Sequence, residues 1–201
     1  PNELAIINYT SATSGFSKGV MIPYRALISN VLFAVQVMPQ LNNTSSVVSV
    51  LPTAHMYGMM FEFLFEMCVG AHVYFLTRVP SPSIIVKALE EIKPILIIAV
   101  PLIIEKIYKS RLQPFLKKPG MRFLLGLPIV DKKIGDKINE TLSNTFGGNF
   151  IEVIVGGAAF NKEADNFFHK IGFRYTVGYG MTECAPIIAY SPWNKLKLYS
   201  C

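Results

Sequence analysis

Short apolar, β-branched runs recur along the chain at residues 4–9, 47–51, 72–76, 95–100, 150–155 and 174–179. Several are apolar at successive positions, which predicts strands buried on both faces between helix layers rather than strands with one wet face. Between them lie stretches with helix punctuation. Residues 83–93 follow Ser81-Pro82 and stop before Pro94. Residues 101–112 open on Pro101, whose missing N–H costs nothing in a first turn. Residues 161–171 begin at a capping Asn161, carry Glu163 and Asp165 in the first turn, and end before Gly172. The alternation predicts an α/β fold: a mostly parallel sheet with flanking helices. Residues 117–148, with Gly and Pro breaks around 131–146, read as an excursion carrying its own helix. No internal repeat or low-complexity tract interrupts the pattern.

On such a sheet, ligands sit in the crevice beyond the carboxyl ends of the strands. The chemically unusual residues fall after predicted strands. Residues 10–19 follow the first run, His55 the second, Gly156-Gly157-Ala158 the fifth, and residues 180–183 the sixth.

Composition narrows the classes. The 201 residues are 51% hydrophobic and 16% charged, which excludes a disordered chain and suffices for a substantial core. Nineteen Lys and Arg against thirteen Asp and Glu give +6, but the positives are scattered, which argues against a nucleic-acid partner. A solvated surface accounts for the charge; an anionic ligand or peripheral membrane contact remains open. Cys68, Cys184 and Cys201 are too few and too spread for a disulfide framework or a zinc site, so a reducing, cytoplasmic setting is expected. Mean hydropathy is +0.39. Yet the richest stretch, 59–76, is broken by Glu62, Glu66 and His72, short of the ~20 apolar residues of a span. Pro1-Asn2-Glu3 lacks the build of a signal peptide, and without an initiator Met the chain is expected to begin inside a larger protein.

The segment Tyr9-Thr10-Ser11-Ala12-Thr13-Ser14-Gly15-Phe16-Ser17-Lys18-Gly19-Val20 concentrates hydroxyls, two glycines and a lysine after a predicted strand. Small residues let backbone N–H groups approach an anion, hydroxyls donate to it, and the lysine adds a point charge. Composition alone equally fits a flexible Ser/Thr loop. It is not a Walker A motif, because Gly19 rather than Ser or Thr follows Lys18. By itself His55 reads as a structural histidine, and Tyr179 and Glu183 as a strand-end aromatic and a surface carboxylate.

Taken in order, these segments resemble the AMP-forming adenylate synthetases. The first is similar to their phosphate-binding loop, Y-T-S-G-T-T-G-x-P-K-G-V, with Ala12 in place of a glycine and Ser17 in place of the proline. Leu51-Pro52-Thr53-Ala54-His55-Met56-Tyr57-Gly58 resembles L-P-x-x-H-x-x-G, Gly156-Gly157-Ala158 resembles the G-G-A loop, and Tyr179-Gly180-Met181-Thr182-Glu183 matches Y-G-x-T-E. The stretches Ala99-Val100-Pro101, Glu105-Lys106-Ile107-Tyr108 and Leu127-Pro128-Ile129-Val130 look most like long-chain fatty acyl-CoA synthetases.

The resemblance implies that residues 1–201 form part of a large N-terminal adenylation domain, with an upstream part and a small C-terminal domain lying outside them. It implies a two-step ligase using a fatty acid, ATP, Mg²⁺ and coenzyme A. Lys18, Thr182 and Glu183 would act on the phosphates, with Glu183 holding the metal. Thr10, Ser11, Ala12, Thr13, Ser14 and Gly15 would cradle the triphosphate, and Gly157, Ala158, Tyr179 and Gly180 the adenosine. His55, Gly156 and Gly157 would border the acyl pocket, whose walls could come from a helix at 56–65. Two alternatives stand beside this reading: another acid-activating enzyme (an acyl-carrier-protein or aryl-CoA ligase), or a degenerate nucleotide-binding domain. A partial domain with uncovered apolar surface is also expected to self-associate.

Overall fold

In the computed structural model, residues 2–10, 16–112, 114 and 128–199 are described, apart from the side chains of 111, 112 and 128–131. Five strands form one parallel sheet: β3 (Ser46–Ser49), β4 (His72–Phe75), β5 (Leu96–Ala99), β6 (Glu152–Val155) and β7 (Tyr175–Val177). Their order is β4-β3-β5-β6-β7. Every residue of β5 and β6 is buried, as the unbroken apolar runs predict for central strands. The edge strand β4 is instead largely exposed, whereas β7 at the other edge is mostly buried.

Helix α1 (Tyr24–Val37) lies against the segment that follows β3. That segment is α2 (Met56–Met59), which runs through a π-helical turn (Met60–Leu64) into α3 (Phe65–Val69). The excursion from β3 to β4 runs opposite in direction to those that follow. Right-handed crossovers therefore set α2 and α3 on one face, where α1 packs against them, and the later helices on the other. The later helices are α4 (Pro82–Ile92), α5 (Pro101–Ile107), α6 (Pro128–Thr145) and α7 (Lys162–Lys170). Contacts of α4 with α5 and α6, and of α1 with α3 and the π turn, agree with this division. Local chemistry starts two of these helices as expected. Ser81 Oγ accepts from Ile84 N before Pro82, and Asn161 Oδ1 accepts from the N–H groups of Glu163 and Ala164. Phe146, Phe150, Phe168, Phe173 and Tyr175 form one aromatic cluster beside β6, β7 and α7.

Two expectations need correction, and one helix lies where the sequence announces none. The first apolar run does not join the parallel sheet: β1 (Leu4–Thr10) pairs antiparallel with β2 (Lys18–Pro23) as a separate hairpin. Paired with β2 alone, β1 is exposed along Leu4, Ile7 and Tyr9 and buries only Asn8 fully, and the next element after it is β2 rather than a helix of the main sheet. The run at 174–179 divides at Gly178. Its second part, β8 (Tyr179–Gly180), turns away to pair with β9 (Ile187–Ala189). Helix α1 carries none of the start signals that marked the others, since Pro23 at its N-cap has no side-chain acceptor.

Candidate functional site

A cavity of about 360 Å³ opens at the carboxyl edge of the sheet. Its mouth gathers residues from four separated segments: His55 beyond β3, Val100 beyond β5, Gly156 and Gly157 beyond β6, and Tyr179, Gly180 and Thr182 beyond β7. The carboxyl edges of β3, β5, β6 and β7 thus converge on one crevice, as doubly wound sheets dictate. Below the mouth the walls become apolar. Ile98 and Ile154 supply the sheet side; Phe33, Phe61 and Phe65 supply the helix side.

Long-range hydrogen bonds hold this arrangement. Tyr57 OH donates to Ile154 O at 3.2 Å and lays its ring beneath Gly156. A methyl at Gly156 would lie 3.0 Å from that ring, so glycine is what lets the strand end and the tyrosine meet. Burial holds the Tyr57 phenol far above its usual pKa, and it acts as a neutral donor. Asn8 Nδ2 donates to Ala54 O at 2.9 Å, tying the hairpin to the segment that carries His55. Asn30 on α1 donates to Cys184 O at 3.2 Å and accepts from Ile187 N at 2.9 Å, clamping both sides of the turn after Glu183. At Gly180, an added Cβ would collide with Pro186 O, which keeps the β8–β9 ribbon tight only with glycine.

Glu62 and Glu66 stand one helical turn apart, spanning the π turn into α3, and both are fully buried. Glu62 accepts from Ser49 Oγ at 3.1 Å, Val50 N at 3.1 Å and Leu51 N at 2.9 Å, so it anchors the backbone leaving β3 toward His55. Burial raises its pKa from 4.5 to about 7 against these three bonds. Burial, and then the charge of Glu62, raises that of Glu66 to about 8; neither oxygen of Glu66 has a hydrogen-bond partner among the described residues.

The residues singled out by the sequence are gathered unevenly. His55, Gly156, Gly157, Tyr179, Gly180 and Thr182 share the cavity wall. Ala158 is exposed just beyond it. Thr10 and Lys18 face one another as the last cross-strand pair before β1 and β2 connect, with Lys18 exposed. Glu183 is exposed on the 3₁₀ turn Thr182–Cys184, against which β2 packs. Ser11, Ala12, Thr13, Ser14 and Gly15 lie outside the described residues, as do Cys201 and Leu127. Sequence reasoning missed Asn30, Tyr57 and Tyr190. The partners of Asn30 and Tyr57 are 154 and 97 residues away, and no local pattern announces them. Among the described residues no three His, Cys, Asp or Glu side chains cluster to cage a metal. Glu183 is an exposed carboxylate, the kind of single ligand that would hold Mg²⁺ together with substrate phosphates.

The sequence profile of the AMP-binding enzyme family matches residues 1–201. The chain belongs to that family. Among curated relatives, human long-chain-fatty-acid–CoA ligase ACSBG2 is 26% identical over 221 residues, covering 100% of this chain and 33% of that protein. Apo MatB from Rhodopseudomonas palustris superposes with a TM-score of 0.70 at 22% identity, covering 98% of this chain and 32% of that one. A benzoate CoA ligase from Burkholderia xenovorans LB400 superposes with a TM-score of 0.68 at 17% identity, covering 98% and 34%. The chain spans about a third of the length of each. Among the described residues no helix is long and apolar enough to cross a membrane.

Proposed function

We propose that this AMP-binding chain is part of the large N-terminal domain of a fatty acyl-CoA synthetase. The reading rests above all on one observation: a cavity with glycine backbone, Tyr179 and Thr182 at its mouth and phenylalanine and isoleucine walls below. Such a cavity suits a substrate with a reactive carboxylate at one end and an apolar body behind it, held by about 0.8 kcal/mol per buried methylene. The human long-chain relative supports the same substrate class.

In the first step a carboxylate oxygen attacks the α-phosphorus of ATP, pyrophosphate leaves, and an acyl-adenylate remains. In the second the sulfur of coenzyme A attacks the acyl carbon and AMP leaves. The acid is already ionised at neutral pH, so no base is needed for the attack, and His55 positions the acyl end rather than taking a proton. Charge develops on the phosphate oxygens. Lys18, the hydroxyls of Thr10, Ser11, Thr13 and Ser14, and Thr182 donate to them. Tyr179 stacks on adenine beside Gly180, and Gly157 and Ala158 line the adenosine. Mg²⁺ at Glu183 would offset the negative charge of the triphosphate. Substrates are small molecules; the basic surface is compatible with a peripheral membrane location in the cytoplasm.

The test is ATP–pyrophosphate exchange by the full-length protein across saturated and aromatic acids. Exchange that depends on saturated acids is expected. Preference for aromatic acids would reassign the protein to aryl activation, and no exchange with any acid would leave a nucleotide-binding domain without chemistry.

A further inference from the structure

The cavity floor has a feature that the two-step reaction does not require. Leu96, Ile98 and Val100 alternate along one face of β5, and Glu152, Ile154 and Gly156 along the neighbouring face of β6, with Leu96 opposite Glu152 and Ile98 opposite Ile154. The cavity follows this ladder from Val100 and Gly156 at the mouth down to Leu96, a run of ~13 Å at ~3.3 Å per residue. A second cavity of about 120 Å³ begins where the first stops. Val37, Met38, Leu96 and Tyr190 line both. Beyond them the second space is bounded by Gln40, Trp193 and Asn194.

Of the four shared residues, Tyr190 is the one fixed by polar contacts. Its phenol donates to a carboxylate oxygen of Glu152, a residue only 2% exposed, and the other oxygen of Glu152 accepts from Trp193 N at 2.9 Å. Its ring meets Phe33 edge-on at 6.1 Å. Burial lifts both the Tyr190 phenol and the Glu152 carboxyl above their ordinary values, although the hydrogen bond between them works against the rise at Glu152. A tyrosine so held is a fixed partition and not a side chain free to swing aside.

We propose that Tyr190, oriented by Glu152, is the partition that sets the length limit of the acyl substrate, and that the second cavity is the extension of the acyl tunnel beyond it. This rests on the acid-activating reading of the main cavity. Tyr190 contacts the substrate tail; Glu152 is a positioning residue acting through it. Each methylene admitted past the partition adds at most about fourfold in affinity, the value for full burial.

The experiment uses the full-length protein with Tyr190→Ala, Tyr190→Phe and Met38→Ala, read in two ways. One is ATP–pyrophosphate exchange across a homologous series of saturated acids. The other is displacement of bound cis-parinaric acid by the same acids, which needs no catalysis. Tyr190→Ala is expected to move the preferred length upward by two or more carbons in both. Tyr190→Phe keeps the ring but frees it from Glu152, and is expected to blur the upper limit without moving the optimum. Met38→Ala removes a wall residue beside the partition and should extend the limit by less. Unchanged length profiles in Tyr190→Ala and Met38→Ala, with exchange intact, overturn the partition while leaving the activation chemistry standing. Absence of exchange in the wild type, with a displacement profile that still shifts in Tyr190→Ala, overturns the chemistry and leaves the partition. Should Tyr190→Ala fail to fold, Tyr190→Phe and Met38→Ala carry the decision alone, and unaltered profiles in both refute the proposal.

Discussion

Single side chains join segments that the chain order keeps far apart. Asn30 is the clearest case, because its amide satisfies groups on both sides of the turn that follows Thr182 and Glu183. Asn30→Leu would leave Ile187 N–H and Cys184 O without this partner in a partly buried place, which costs about 1 kcal/mol. A lower urea midpoint is expected, together with weaker nucleotide binding in the full-length protein, since the Thr182–Cys184 turn loses its clamp. Stability lost with nucleotide affinity unchanged would separate the clamp from the site. Lys18 and Glu183 make a different case: both are exposed and belong to the proposed triphosphate end. Lys18→Ala and Glu183→Gln should therefore slow adenylation by far more than they slow thioester formation from preformed acyl-adenylate, because the triphosphate is gone by the second half-reaction. Equal losses in the two half-reactions, assayed separately, would sink that assignment.

Among the elements, the helix after β3 departs most from regular geometry. Its π turn, Met60–Leu64, carries Glu62 inward to the N–H groups of Val50 and Leu51, an irregularity of the kind that recurs at functional sites. Glu62 and Glu66 make stability depend on pH in a definite direction. Both pKa values are raised by folding, from 4.5 to about 7 and about 8. Their contribution is full below about 4.5 and is lost as pH rises through the folded values, because the unfolded chain gives up these protons first. The chain should unfold at lower urea near pH 9 than near pH 5 (both approximate). Glu66 has no hydrogen-bond partner among the described residues, so Glu66→Met should add about 1–3 kcal/mol at neutral pH and flatten that slope. An unaltered slope would show that other groups govern it. At the end of α4, Lys93 adopts a left-handed C-cap with φ 52°. Lys93→Gly should relieve about 1 kcal/mol, read as a higher midpoint in thermal unfolding. Helices α4, α5 and α7 were legible in the sequence because Ser81-Pro82, Pro101 and Asn161 are local signals. Strand β2 and helix α1 were not, since an antiparallel partner and a cap without a side-chain acceptor leave no comparable mark.

At the scale of the whole molecule, the order of the polar segments foretold which loops would meet at the carboxyl edge of the sheet, and His55, Gly156 and Tyr179 do meet there. The walls behind them were harder to read: Phe33 and Tyr190 come from segments whose own pattern carries no chemistry, and they meet at the cavity through the bond of Tyr190 to Glu152 on β6 and its edge-on contact with Phe33. The fold leaves one side of the molecule bare. Along α1, Tyr24, Ile28, Leu32 and Val35 are exposed at helical spacing, and on the neighbouring hairpin Ile7, Tyr9 and Met21 are 49%, 70% and 68% exposed. Apolar surface gathered on adjoining elements is rare on a soluble monomer and marks a face that another surface covers. In the 201-residue chain by itself, a second copy is available for that role. Sedimentation velocity should show reversible association that grows with concentration. Ile28→Lys with Leu32→Lys should suppress it while circular dichroism and the urea midpoint stay near wild type, because neither side chain is in the core. The hairpin offers an independent check: Met21→Lys, on the exposed side of β2, should weaken association as well. A chain that sediments as a monomer at every concentration tested would refute self-association through this face. Association unmoved by all three lysines would place it on some other surface.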